Sequence, residues 1–181
     1  MIRRRTRGRL AGALAAAVLA AGCAGGHPAT ASGRAPTPAV SAPPASLIRV
    51  PRPDYADPAS VASAFYTAWA SVDAVHDGPD AFAVRCATLA TPALERQLAA
   101  SQPAPAAWQV MRASHLVSLV QVRAVTRPDG APAATASAAY LSVYATRVTV
   151  TTIGRTTRSD GVTLRLTRSG ARWLVSAVLF Y

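Results

Sequence analysis

Lysine is absent from the chain, and cysteine and histidine are nearly so, with two Cys and three His among 181 residues. Every basic position is therefore arginine, so an isolated Arg carries little information about function. Together with abundant Ala and Pro, this usage points to GC-rich coding. Two cysteines exclude a disulfide framework, and packing must hold any exported domain together. His, Cys and carboxylates are not clustered at ligand spacing, so no metal site is expected. A Gly-rich phosphate loop, a nucleophile elbow and an HExxH pair are all missing, so neither a catalytic set nor a cofactor is expected. No apolar run reaches the roughly 20 residues that cross a bilayer as a helix. Acids are scarce: 8 Asp and Glu oppose 19 Arg, a formal charge of +11. Five of those Arg fall within the first nine residues, and from Cys23 onward 14 Arg face the same 8 acids. A nucleic-acid binder would show a dense basic stripe interleaved with aromatics, and none is present. Mild positivity suits anionic lipid or a protein partner instead.

What is present begins with an address. Arg3, Arg4, Arg5, Arg7 and Arg9 precede the apolar stretch Leu10–Ala21, and small residues lead to Cys23. This is the layout of an export signal. The ending Leu19-Ala20-Ala21-Gly22-Cys23 resembles the lipobox of bacterial lipoproteins, with Leu one position further from the cysteine than is usual. The resemblance implies cleavage before Cys23 and acylation of its thiol, with palmitate as a typical chain. A mature protein lipid-anchored at the extracytoplasmic face of the cell membrane would result. Two acyl chains are needed for stable anchoring, at about 0.8 kcal/mol per buried methylene. A plain secretory signal and an uncut membrane helix stand as alternatives.

Residues 23–53 read as a disordered linker. Seven of the 14 prolines lie there, among Ala, Ser, Thr and Gly with little to bury. Ser46 to Val50 break the pattern as an edge strand or a contact with the domain. A single domain is expected over 54–181.

Asp57-Pro58 signals a helix start, followed by Val61, Phe65, Ala68, Trp69 and Val72 on one face. It ends near Asp73–Gly78. Further helices are expected over 79–89 and, after Thr91-Pro92, over 91–100, with Gln102 to Pro105 as a stop. Strands follow over 116–125, 138–152, 162–167 and 173–180. The second of these changes apolar parity partway, which predicts a bulge or bend near Ala145. Ser159-Asp160-Gly161 and Ser169-Gly170 read as hairpin turns.

Helices before an antiparallel meander make an α+β fold, with helices on one face of a curved sheet. On Asp57-Pro58, Phe65-Tyr66, Ala68-Trp69 and the final Gly170, Trp173, Leu174, Val175 and Ser176, residues 55–181 resemble the nuclear transport factor 2-like (cystatin-like cone) superfamily. Within it the chain looks most like envelope domains of actinobacterial conjugation and secretion proteins and of Mce-associated proteins. That resemblance implies a non-enzymatic accessory role with an envelope protein partner, or a cone that binds a small molecule.

The candidate residues follow. Cys23 is the lipid attachment. Trp69, His115, Tyr140 and Trp173 are expected to line a pocket in the cone, and Arg147, Arg165 and Arg172 to form an outward basic surface. His76 with Asp73 or Asp77 is read as a solvated surface turn, and Cys86 as a small buried hydrophobe.

Overall fold

A computed structural model describes residues 45–179. The leader, Cys23 and most of the linker lie outside that range. The fold is α+β, a curled half-barrel sheet packed with helices.

Helix α1 spans Pro58–Ala70 and starts as the sequence indicates. Asp57 accepts from the amides of Ala59 and Ser60, both at 3.0 Å, and Pro58 takes the first helical position. The two-residue strand β1, Val72–Asp73, follows directly. Helix α2 is Ala81–Cys86, shorter than the expected 79–89. Its sequel leaves the helix because Leu89 O accepts from Val175 N and Thr91 N donates to Val175 O. Sheet-edge pairing there outweighs helix propensity. Helix α3, Pro92–Ala100, is capped by Thr91.

Helix α4, Pro105–Ala113, occupies the stretch read as a helix stop and its sequel. Pro105 sits at the start of the helix, but Ala104 offers no capping side chain, so the usual start signal is missing. The main strands are β2 (Val117–Thr126), β3 (Ala138–Thr151), β4 (Gly154–Ser169) and β5 (Arg172–Leu179). The sheet runs β1-β2-β3-β4-β5 with every neighbour antiparallel.

Two expectations about register are corrected. The bulge lies on β2, where Arg123 is the extra residue opposite Tyr144 and Ala145, while β3 pairs with β4 without a break. The inward parity of β3 is therefore constant, and Val148 and Val150 face outward. Ser159-Asp160-Gly161 is not a turn but lies within β4. Asp160 takes an ion pair there, and Gly161 admits the backbone of β3: a Cβ at that position would stand 2.8 Å from Val143 O. The hairpin turns at Thr152-Ile153 instead, between the paired Thr151 and Gly154. The Ser169-Gly170 turn is as expected, with Gly170 at φ 61, a conformation glycine adopts without strain.

The core lies between α1 and the concave sheet face. Val61, Phe65 and Tyr66 pack with Val143, Leu164, Leu166 and Val175, all essentially inaccessible. At about 25 cal/mol per Å² of apolar area, burial of the α1 aromatics contributes several kcal/mol. Residues 46–50, read as breaking the linker pattern, make a contact with the domain and not an edge strand: Ile48 is buried, and Leu47 N donates to Asp73 Oδ2 at 2.9 Å.

Candidate functional site: a polar cluster and cavity at the end of the first helix

The carboxyl end of α1 exposes carbonyls that its own helix cannot satisfy. No basic residue lies in its last turn. Two arginines from elsewhere supply the donors. Arg85 of α2 donates from Nε to Ala68 O at 3.2 Å and from Nη2 to Ser71 O at 3.0 Å. Arg147 of β3 donates from Nη1 to Ala70 O at 2.5 Å. Positive charge at this end also opposes the helix dipole. Each guanidinium carries its own counterion: Asp77 accepts from Arg85 Nη1 at 2.5 Å, and Asp160 accepts from Arg147 Nε at 2.5 Å.

Burial alone would push the Asp160 carboxyl up. The hydrogen bond and charge of Arg147, the Tyr66 hydroxyl and the Gly161 amide outweigh it and hold the group below the ordinary carboxylate value. Tyr66 is shifted the other way, to about 12, by burial first and by the Asp160 charge and hydrogen bond second. The three groups form a locked network: Tyr66 stays protonated, and Asp160 stays ionised against Arg147.

Asp73 lies beside this cluster, fully buried rather than in a solvated turn as expected. Its carboxylate accepts from the amides of Leu47, Val75 and His76 and from His76 Nδ1. Burial raises its pKa, but these donors prevail and the net shift is downward. The Asp73–His76 pair is a staple. It ties the 73–77 loop to the segment entering the domain, and its acceptor oxygens are committed to those donors.

A cavity of about 370 Å³ opens next to the cluster. Trp69, Phe82, Trp108 and Met111 form its apolar wall, and Asp77 and Arg85 form part of its polar side. Trp108 is the buried residue of α4, so that helix closes the cavity with one anchoring side chain. The arrangement can take up an apolar group with a polar end. Cys86 is inaccessible, and burial pushes its thiol up to about 12, which leaves it protonated and inert.

The residues expected to line one pocket are dispersed. Trp69 lines the lateral cavity. Trp173 sits in the core beneath Arg168, at 5% exposure. Tyr140 lies on the opposite sheet face, in a groove under the 128–132 loop with Ser142, Tyr144 and Thr163. His115 is exposed just after α4, with φ 50. The uninterrupted alternation of β3 accounts for the separation of Tyr140 from the core.

The basic surface is divided for the same reason. Arg147 faces inward, Arg165 faces outward, and Arg172 stacks on Tyr55 at 3.9 Å while donating to Thr88 O. Asp77, Arg85, Phe82 and Trp108 were not anticipated as a group. Their one sequence signal was the acid-rich 73–80 stretch between two apolar segments.

Among the described residues, no three His, Cys, Asp or Glu are grouped to hold a metal ion. No helix there is long and apolar enough to cross a membrane. No protein-family model and no curated protein matches the chain. Among solved structures, the intermembrane space region of the chloroplast protein ARC6 aligns with 72% of this chain and 100% of its own length. That alignment has 13% identity and a TM-score of 0.38, too slight a likeness to bear on fold family or function.

Proposed function

We propose that this chain is a non-enzymatic, lipid-anchored accessory protein of the extracytoplasmic membrane face. It carries a nuclear transport factor 2-like cone and works through contacts with an envelope protein, in a transport or conjugation machine. The observation that carries this reading is the filled interior. Phe65, Tyr66, Leu164 and Leu166 occupy the space that a ligand would need in the cone. The ionisable groups near it are also engaged. Arg147, Asp160 and Tyr66 satisfy one another, and no buried side-chain polar atom among the described residues is left without a partner. The lipobox-like Leu19–Cys23 ending and the Pro-rich linker support the anchored half of the reading.

The test is cross-linking in intact cells, followed by affinity purification of the full chain and of Cys23→Ser. Envelope components recovered only with Cys23 present are the expected result. Recovery of the chain alone from both forms would overturn it.

The lateral cavity favours a second reading, a small-molecule binder whose site lies outside the cone. Trp69 and Trp108 give it a direct readout, because an occupant would change their fluorescence. A library of apolar amines and acids that leaves both the fluorescence and the melting temperature unchanged would dispose of it.

A further inference from the structure

Beyond Arg147 the β3–β4 hairpin runs past the core, and its tip meets the end of α4 where Thr152 N donates to Ser114 O at 2.9 Å. Residues 152–159 are all exposed, on both faces of the ribbon. The turn at its tip is Thr152-Ile153, and Ile153 is 96% exposed. Two-residue hairpin turns favour Asn, Asp and Gly, so a bare β-branched apolar side chain contributes nothing to turning the chain. A local rule broken without a folding gain marks a functional position.

The outward face behind the tip continues the pattern. Val150 pairs with Val117, and Val148 pairs with Leu119, giving two apolar cross-strand pairs that point away from the core. Val150 is 44% exposed. Arg123 and Arg155 border the same groove as Leu119 and Val148, whereas Arg158 pairs with Arg147 on the other face of the ribbon. Neither 117–126 nor 144–159 contains an acid.

We infer that this hairpin is a second membrane contact, in which Ile153 enters the interface of an anionic bilayer while Arg123 and Arg155 meet its phosphates. The inference rests on the membrane-surface reading above. Charge complementarity selects the occupant. An apolar tip with a cationic collar and no acid matches a negatively charged headgroup layer over hydrocarbon. The unbroken β3–β4 ladder keeps the tip extended. An acylated Cys23 and the tip would then hold the domain at two points, restricting its orientation as well as its distance.

The test uses the full chain with Cys23→Ser and Ile153→Cys, labelled at 153 with an environment-sensitive fluorophore, since Cys86 is buried. A Val84→Cys label, on the helical side at 68% exposure, is the control. Vesicles are either 30% phosphatidylglycerol in phosphatidylcholine or phosphatidylcholine alone. The 153 label is expected to shift to the blue only on the anionic vesicles, and the 84 label on neither. Arg123→Gln with Arg155→Gln should weaken the response on the order of 30-fold, and high salt should weaken it further.

A 153 label that remains in water on anionic vesicles overturns the inference. That result removes only the second contact, because the Cys23→Ser chain carries no acyl anchor and the anchored reading has its own test. A shift elicited by polyglutamate and not by vesicles also overturns it, in favour of an acidic protein partner.

Discussion

Under α1, strands β3 and β4 carry Val143, Leu164 and Leu166, each buried, and the one inward charge pair is tied to a helix end. From residue 152 to 159 the same hairpin carries Thr, Arg and Ile153 in water. Charge divides in parallel. Residues 54–113 hold three Arg against six acids, and residues 114–181 hold eight Arg against two. Pairing between strands continues through both regions, so backbone hydrogen bonding does not distinguish them. What differs is what covers the side chains. The packed end spends its polar groups on one another, and the projecting end leaves them available to an outside surface.

Substitutions can break or sharpen that contrast. The largest effect is expected at Phe65. Phe65→Ala should lower unfolding free energy by about 4 kcal/mol in urea titration, the usual cost of truncating an enclosed aromatic. An effect under 1 kcal/mol would mean that α1 does not fill the concave face. Arg147→Met should cost about 3 kcal/mol by leaving Asp160 unpaired, and the double variant with Asp160→Leu should recover part of that loss. A double variant no better than the single would argue against coupling between the two groups.

A smaller effect is expected from pH. Asp73 and Asp160 titrate lower in the folded chain than in the unfolded one. The unfolded chain therefore takes up protons first on acidification. Their stabilisation is complete above about pH 5 and is lost as pH falls through the unfolded and then the folded values. Tyr66, raised to about 12, loses its contribution as pH climbs from about 10 through that value. A denaturation midpoint already falling between about pH 7 and pH 5 would contradict this assignment. The smallest effect is expected at the tip: Ile153→Asp should leave stability within about 0.5 kcal/mol. A larger loss would show that the hairpin is part of the packed end.

Local signals made one part of this fold legible and hid another. Asp57-Pro58 and Thr91-Pro92 announce helices because capping involves neighbours in sequence. Helix α4 lacks a capping side chain, and its anchor is the single Trp108. The Asp160-Gly161 dipeptide has the composition of a turn, yet it serves an ion pair with Arg147 and close passage of Val143 O, both set by a strand thirteen or more residues away. Expecting the bulge on β3 instead of β2 turned Arg147 outward and placed Val148 and Val150 inward. One misplaced residue reverses every side chain beyond it. The same dependence on distant partners concealed the candidate site. Asp73 takes a hydrogen bond from the distant Leu47 amide, and the cavity wall draws on α1, α2 and α4 together.

The proposed anchoring of this fold at a bilayer through Cys23 can be tested directly. The most direct measurement is the intact mass of the protein extracted from cell membranes, with its N-terminal peptide sequenced. The expected product is a chain that begins at Cys23 and carries a diacylglyceryl group. A chain that begins at another residue, or an unmodified Cys23 in a fully extracted sample, would contradict it.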